Sequence, residues 1–444
     1  MVRVLWRSHL VWLVLAALLM ENSCSKVSGP MAIFKKLSPH DQYAQRLKDA
    51  GLDRSAMGTK WLQSADGAFT NVLNVTLSYK EVGYFDAVKV PASAVRFDVK
   101  RGQKIRVTLT HKPVKGFMIF ADLWKENAGT NPKLLSSADT TTGILEQSVS
   151  ETGKYILRLQ PELLKSGEYT LTITSQPSLG FPVSAVGKPH IESFWGADRD
   201  AGERRHEGID IFAPKGTPAI AAANGTITNV GENKLGGLVV FMRPDDADYN
   251  LYYAHLSKQI AQTGQAVKLG DTLGLVGNTG NAAGGPTHLH FGIYTGSGAI
   301  DPLAFVDREV KQPKPVTASL DLLNGTLQVK SKTTKLHVEP NDKALSIATF
   351  PQNSVLTAVA ATDGWYKIIT PDGYTGFTPA ANLRAGNTLR STTAKNAITV
   401  LDAPDTAAAR KKTISVADKM DVLGFYKGYQ LVKSGDVVGW VEMR

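Results

Sequence analysis

His288 and His290 stand on either side of one leucine in THLHFGIY, directly after a glycine-rich loop, in a chain with nine histidines. In an extended strand, side chains two apart project from one face, so these imidazoles point together while Leu289 turns away. A second constellation lies upstream in RRHEGIDIF, where Asp210 follows His206 by four positions. Gly208 and the β-branched Ile209 and Ile211 oppose a helix there and predict a turn running into a strand. His206, Asp210 and His290 together offer two neutral nitrogens and one carboxylate, which suits one Zn²⁺ per chain with a fourth position open for water. One negative ligand leaves such an ion net positive, able to acidify that water and polarise a carbonyl.

His255 closes the strand-like run NLYYAHL, with Tyr253 on its own side by alternation. Hydrolysis of an amide needs a proton acceptor for the attacking water, a donor to the leaving amine and help for the oxyanion. We assign His288 to water activation and proton shuttling and His255 to transition-state stabilisation, roles that can be exchanged. Two histidines and a carboxylate also describe the non-haem iron triad, and HxH occurs in cupins. The iron triad, however, begins His-x-Asp/Glu rather than His-x₃-Asp, and no Glu follows HLH at cupin spacing. His9, His40, His111, His190 and His337 read as structural or surface residues, His190 being near enough in sequence to line a cleft. GNTGNAAGGP lacks the Gly-Lys-Ser/Thr ending of a phosphate loop and leads into a strand, so it predicts close backbone approach around a peptide groove.

HEGID, YAHLS, GLVGNTG and THLHFGIY, in that order, resemble the M23 peptidases of lysostaphin and LytM type, whose fingerprints are HxxxD and HxH. The resemblance implies zinc held by His206, Asp210 and His290, with His255 and His288 catalytic. It implies hydrolysis of peptide bonds in the stem peptides or cross-links of peptidoglycan. The alternative is a catalytically idle wall-binding scaffold or activator of another wall hydrolase; relatives of that kind typically lack ligands that are all present here.

The elements that must position these residues are predicted to be mainly β. PAIAAANGTITNV, GLVVFM, NLYYAHL, TLGLVG and THLHFGIY, with no long amphipathic helix among them, predict an all-β sheet assembly, and the resemblance implies that it is an M23-type domain over 178–308. Within 24–69, a tether and helices, SPHDQYAQRLKDAGL reads as a helix with Ser38 as N-cap, Pro39 at its first position and Gly51 near its end. VRFDVKRG, KIRVTLT, YILRL and EYTLTIT then alternate apolar and polar residues, Ile105, Val107 and Leu109 facing one way and Arg106, Thr108 and Thr110 the other. They predict a β-sandwich accessory domain over 70–177. A Lys/Pro-rich linker, REVKQPKPVTAS, falls largely within 309–329. Beyond it a repeat at an offset of about 63 residues pairs Trp365 with Tyr429 and Gly376-Phe377 with Gly439-Trp440. These two units, 330–386 and 394–444, resemble tandem bacterial SH3-like β-barrels, commonly targeting modules on wall enzymes. Their Trp365, Tyr366, Phe377 and Trp440 either grip glycan or peptide or fill small cores.

At 444 residues the chain is long enough for several cores. Its start has Arg3 and Arg7 before an apolar run from Leu10 to Met20, too short to span a bilayer comfortably and suited to a signal peptide over 1–23. Cys24, the one cysteine, excludes an internal disulfide and is placed to become a lipidated first mature residue, as in a bacterial lipoprotein. Glu21 and Asn22 depart from the usual residues before such a cysteine, which keeps a plain signal peptide or an uncleaved anchor open. The formal charge of +10 favours polyanionic surroundings, yet lysines and arginines are scattered with no basic arm, so nucleic acid is not the expected partner. The expected partner is peptidoglycan and the expected address the cell envelope, as an exported, membrane-anchored lipoprotein facing the periplasm or wall.

Overall fold

The computed structural model describes residues 37–89, 91–199 and 202–443, and the chain over these is mainly β. The signal segment, His9 and Cys24 lie outside the described residues. Among the described residues no helix is long and apolar enough to cross a membrane.

The N-terminal helix spans Pro39–Asp49, and the Ser38 side chain accepts from the Asp41 amide as its cap. A second helix, Ala56–Gly67, follows a turn in which Gly51 takes φ +68°, a conformation that costs glycine little. Their apolar faces meet the sheet through Leu47, Trp61 and Phe120.

Two sheets then pack face to face. One runs in the order Leu73–Asn74, Ser93–Val99, Gly153–Pro161, Ile119–Asn127, Thr130–Ser137; the other holds Tyr79–Phe85, Gly167–Pro177, Gln103–Lys112 and Ile144–Ser148. Ile105, Val107 and Leu109 are buried between them, as the alternation predicts.

The second sheet does not stop at the sandwich. Tyr79–Phe85 pairs antiparallel with Val355–Thr362 of the C-terminal region, Val82 opposite Ala361 and Gly83 opposite Ala360. Beside this seam Lys367 Nζ lies 2.6 Å from the Glu81 carboxylate, both side chains almost fully buried. The hydroxyls of Tyr79 and Tyr169 also donate to Glu81, at 2.6 and 2.9 Å. Burial and the neighbouring carboxylate push both phenols well above their ordinary value and keep them donors.

The C-terminal repeat is visible as two equivalent hairpins. Trp365–Ile369 pairs with Thr375–Pro379, and Tyr429–Ser434 with Val437–Glu442. Tyr366, Phe377 and Trp440 are buried, and Trp365 packs edge-on against His337. These aromatics fill cores. Tyr426, Tyr429, Leu431 and Trp440 share one apolar cluster with Leu356, Tyr366 and Ile368, so the two units pack on each other.

Between sandwich and repeat lies a third assembly. His190–Ser193, Ile209–Phe212, His288–Thr295, Tyr249–Gln259, Gly237–Pro244, Gly225–Asn233 and Ala266–Val267 form one sheet in that order. Its inner face carries Ile211, Tyr253, Leu289 and Phe291, all buried. It joins the sandwich where Phe305 packs on Gly102, whose φ of +90° and missing Cβ permit the contact.

Candidate active site

Ile209–Phe212, His288–Thr295 and Tyr249–Gln259 are adjacent, and their register sets the site. Asp210 lies directly opposite His290, Phe212 opposite His288, and Ala254 opposite His290 from the other side. Cross-strand partners share a face, so this pairing aims Asp210, His288 and His290 into one cleft. Leu289 turns into the core. His206 arrives from the turn before Ile209–Phe212, as the glycine and β-branched residues of HEGID predict. Gly208 has a second role there: a Cβ on it would lie 2.7 Å from the His290 ring and 2.6 Å from the Phe291 carbonyl oxygen.

Three ligand-type atoms converge. His206 Nε2 and His290 Nδ1 each lie 3.0 Å from Asp210 Oδ1, and 3.0 Å from each other. His206 Nδ1–H donates to the Phe194 carbonyl at 2.9 Å, which fixes the tautomer and leaves Nε2 a bare lone pair. Without a cation, a proton on His290 Nδ1 can bridge to Asp210 Oδ1; with that proton released, two imidazole nitrogens and one carboxylate oxygen face inward as a donor set suited to zinc. Donor atoms of a tetrahedral zinc centre sit roughly 3.3 Å apart for bonds of about 2.0–2.1 Å, so the triangle fits. Burial alone would raise the Asp210 carboxyl; the imidazoles of His206 and His290 outweigh it and hold the group well below the usual carboxylate range.

His255 and His288 flank this triangle. Their rings meet edge to face with centroids 4.9 Å apart, and His288 Nε2 is 3.8 Å from Asp210 Oδ1. His255 Nδ1–H donates to the Thr279 carbonyl at 2.8 Å and His288 Nδ1–H to that of Pro286 at 2.9 Å. Each therefore presents Nε2 as an acceptor. Burial lowers His255 to about 4, so its ring is neutral at pH 7.

One expectation is corrected. Alternation put Tyr253 on the side of His255 and ended the strand there. The strand continues to Gln259, and His255 sits in a bulge with φ +61°, between Tyr253 opposite Val240 and Leu256 opposite Leu238. A left-handed residue is uncommon outside glycine, and histidine is among those that tolerate it. The bulge turns His255 to the cleft face beside Ala254 and Tyr252. Tyr253 is left in the core, donating to no catalytic group and accepting from the Ala222 amide. The glycine-rich loop supplies the Thr279 carbonyl, and its Gly280, φ +68°, passes so close to Gly237 that a Cβ would be 2.3 Å from that amide nitrogen.

The cleft holds about 670 Å³ and is lined among others by Arg204, Leu235, Phe241, Asn281 and Tyr294. Among the described residues its lining comes wholly from this sheet and its loops, with none from the sandwich or the C-terminal repeat. His190 does not line it; it is exposed and faces Glu192 at 3.6 Å. His40 and His337 are buried in their own cores and His111 is half-exposed on the sandwich. Arg199, absent from the reading of the sequence, does reach the site: its Nη2 donates to Asp210 Oδ2 at 2.8 Å. Nothing in RDAGERR sets this arginine apart from the other basic residues beside it.

The pattern of Peptidase family M23 matches residues 204–302, the stretch that holds all five of these acidic and imidazole groups. The chain carries a family M23 peptidase domain. Over 126 residues the M23 region is 36% identical to the L-Ala--D-Glu endopeptidase of Bacillus subtilis, covering 27% of this chain and 38% of that protein. It is 38% identical over 88 residues to the peptidoglycan DD-endopeptidase ShyC of Vibrio cholerae, covering 20% of each. Among solved structures it is similar to the catalytic domain of the antimicrobial peptidase lysostaphin from Staphylococcus simulans, at 30% identity and a TM-score of 0.25, covering 28% of this chain and 97% of that one. The chain spans less than half the length of the curated relatives it matches. What the sandwich and repeat add to the M23 domain is outside that likeness.

Proposed function

We propose that this chain is a zinc-dependent endopeptidase that hydrolyses peptide bonds in the stem peptides or cross-links of peptidoglycan. The observation that carries it is the triangle of His206 Nε2, Asp210 Oδ1 and His290 Nδ1 with two further imidazoles presenting acceptor nitrogens beside it. The V. cholerae relative, named a peptidoglycan DD-endopeptidase, and the B. subtilis relative, named an L-Ala--D-Glu endopeptidase, support the substrate class.

His206, Asp210 and His290 would hold Zn²⁺, which would supply an acidified water and a Lewis acid for the scissile carbonyl. His288 Nε2, 3.8 Å from Asp210 Oδ1, takes the proton of the attacking water and returns it to the leaving amine. Its Nδ1–H stays on Pro286 throughout, so proton exchange is confined to Nε2. His255, neutral and held by Thr279, orients the reacting groups through its own Nε2. Where the roles are exchanged and His255 is the group that takes the proton of the attacking water, its new Nε2–H donates to the oxyanion before passing to the leaving amine. Because the tautomer is the same at both positions, the two roles remain exchangeable. The open cleft admits an extended peptide between Tyr252 and the Asn281–Ala282 loop.

We further read residues 70–177 as an accessory sandwich and 330–386 and 394–444 as SH3-like modules that address the enzyme to the wall. The leader up to Cys24 is read as exporting and anchoring it in the envelope. The burial of the repeat's aromatics directs attention to polar barrel surfaces, not these rings, as the contact with the wall.

Purified full-length protein is expected to release soluble muropeptides from sacculi. A chelator should stop the release and Zn²⁺ restore it, and His290→Ala should abolish both activity and stoichiometric zinc. Release that survives either treatment would refute the proposal. A zinc-free protein inert on sacculi would point to the idle scaffold instead.

A further inference from the structure

Asp210 divides its two oxygens. Oδ1 faces the imidazole nitrogens of His206 and His290 at 3.0 Å each, whereas Oδ2 takes a hydrogen bond from Arg199 Nη2 at 2.8 Å. The same Nη2 donates to Ser193 Oγ at 2.6 Å, and that hydroxyl lies 3.4 Å from His206 Nδ1. Arg199 thus touches the surroundings of two ligand-type residues at once. It comes from the first strand of the short pair Asp198–Arg199 and Arg204–Arg205, and that first strand precedes the residues that the family pattern covers.

A carboxylate without an outer partner can rotate and offer a cation either oxygen or both. Two-oxygen ligation would raise the coordination number and crowd the position that water needs. We propose that Arg199 is a positioning residue for the metal site: by occupying Oδ2 it restricts Asp210 to ligation through Oδ1 alone. This rests on the metal-site reading above. Its positive charge opposes a dication nearby, while its hydrogen bond fixes the ligand in place. Outer partners of metal ligands typically change affinity or activity about 10–100-fold in favour of the intact bond, so the second effect wins. Lysine offers the charge and a single donor group without the planar fork, and so supplies part of the effect.

The test compares wild-type full chain with Arg199→Met, which keeps an apolar stem of similar reach, and with Arg199→Lys. Zinc affinity is measured by competition with a chromophoric chelator, and the visible spectrum of the Co²⁺-loaded proteins reports coordination number. Thermal melting confirms that each variant is folded; Arg199 is partly exposed on a two-stranded hairpin, so the fold is expected to survive. R199M should bind zinc about 10–100-fold more weakly, with the weaker cobalt absorption of a higher-coordinate site. R199K should fall between the two. Wild-type affinity and an unchanged cobalt spectrum in R199M would overturn the proposal while leaving the metal site intact. Failure of the wild type to bind either ion would instead overturn the metal-site reading and this proposal with it.

Discussion

Main-chain carbonyls decide which nitrogen each imidazole presents: Phe194 for His206, Thr279 for His255 and Pro286 for His288. Division of labour follows, since a residue outside the triangle can be removed without touching the ligands. His288→Gln is expected to keep stoichiometric zinc and lower kcat about 10²–10⁴-fold, the usual contribution of general acid–base help; metal analysis beside sacculus turnover checks both parts. Gly208→Ala reads the triangle from behind. Its new Cβ overlaps the His290 ring and the Phe291 carbonyl, so zinc affinity should fall about tenfold or more, measured by chelator competition at unchanged secondary structure. The convergence of His206, Asp210 and His290 is legible in the sequence because HxxxD and HxH bring the same residues together in a strand-and-turn setting. Two residue-scale features are not. Alternation carries no mark of a bulge, so it pairs Tyr253 with the face of His255, and Arg199 looks like surface charge until its partner is seen.

Among the elements, the Pro39–Asp49 helix was the most legible, because cap, proline and terminal glycine all agree. What the sequence left hidden is its cargo. His40 is buried against the Trp61 ring, stacked at 4.7 Å, and its Nε2–H donates to Gln160 Oε1 at 2.7 Å. Burial, followed by the nearby Arg158 cation, lowers His40 below its ordinary value, against the opposing pull of Gln160, Asp122 and Asp41. The unfolded chain therefore takes up this proton first as pH falls through about 6.5, and stability drops until the folded-state pKa is reached. Above pH 6.5 both states are neutral and the contribution is flat. Urea melts of the full chain at pH 7.5 and 5.5, followed by Trp fluorescence, should show this loss, and His40→Gln should diminish it. An equal pH dependence in that variant would contradict the assignment.

At the scale of the whole molecule, the periodicities marked each strand set, but no local pattern announced that two of them would merge into a single sheet. The merger depends on residues far apart in sequence, Val82 with Ala361 and Glu81 with Lys367. Lys367→Ala strands the Glu81 carboxylate in a buried site and should cost about 3–5 kcal/mol, read as a lowered denaturation midpoint with the M23 cleft's zinc affinity unchanged. The seam has a practical corollary for anyone dissecting the protein. A fragment ending at residue 320 would bare the flank of Tyr79–Phe85, presenting unsatisfied amides and an orphaned acid to solvent. Such a fragment should stick to itself or to other chains, and poor behaviour of that piece would speak of a severed sheet, not of a faulty enzyme.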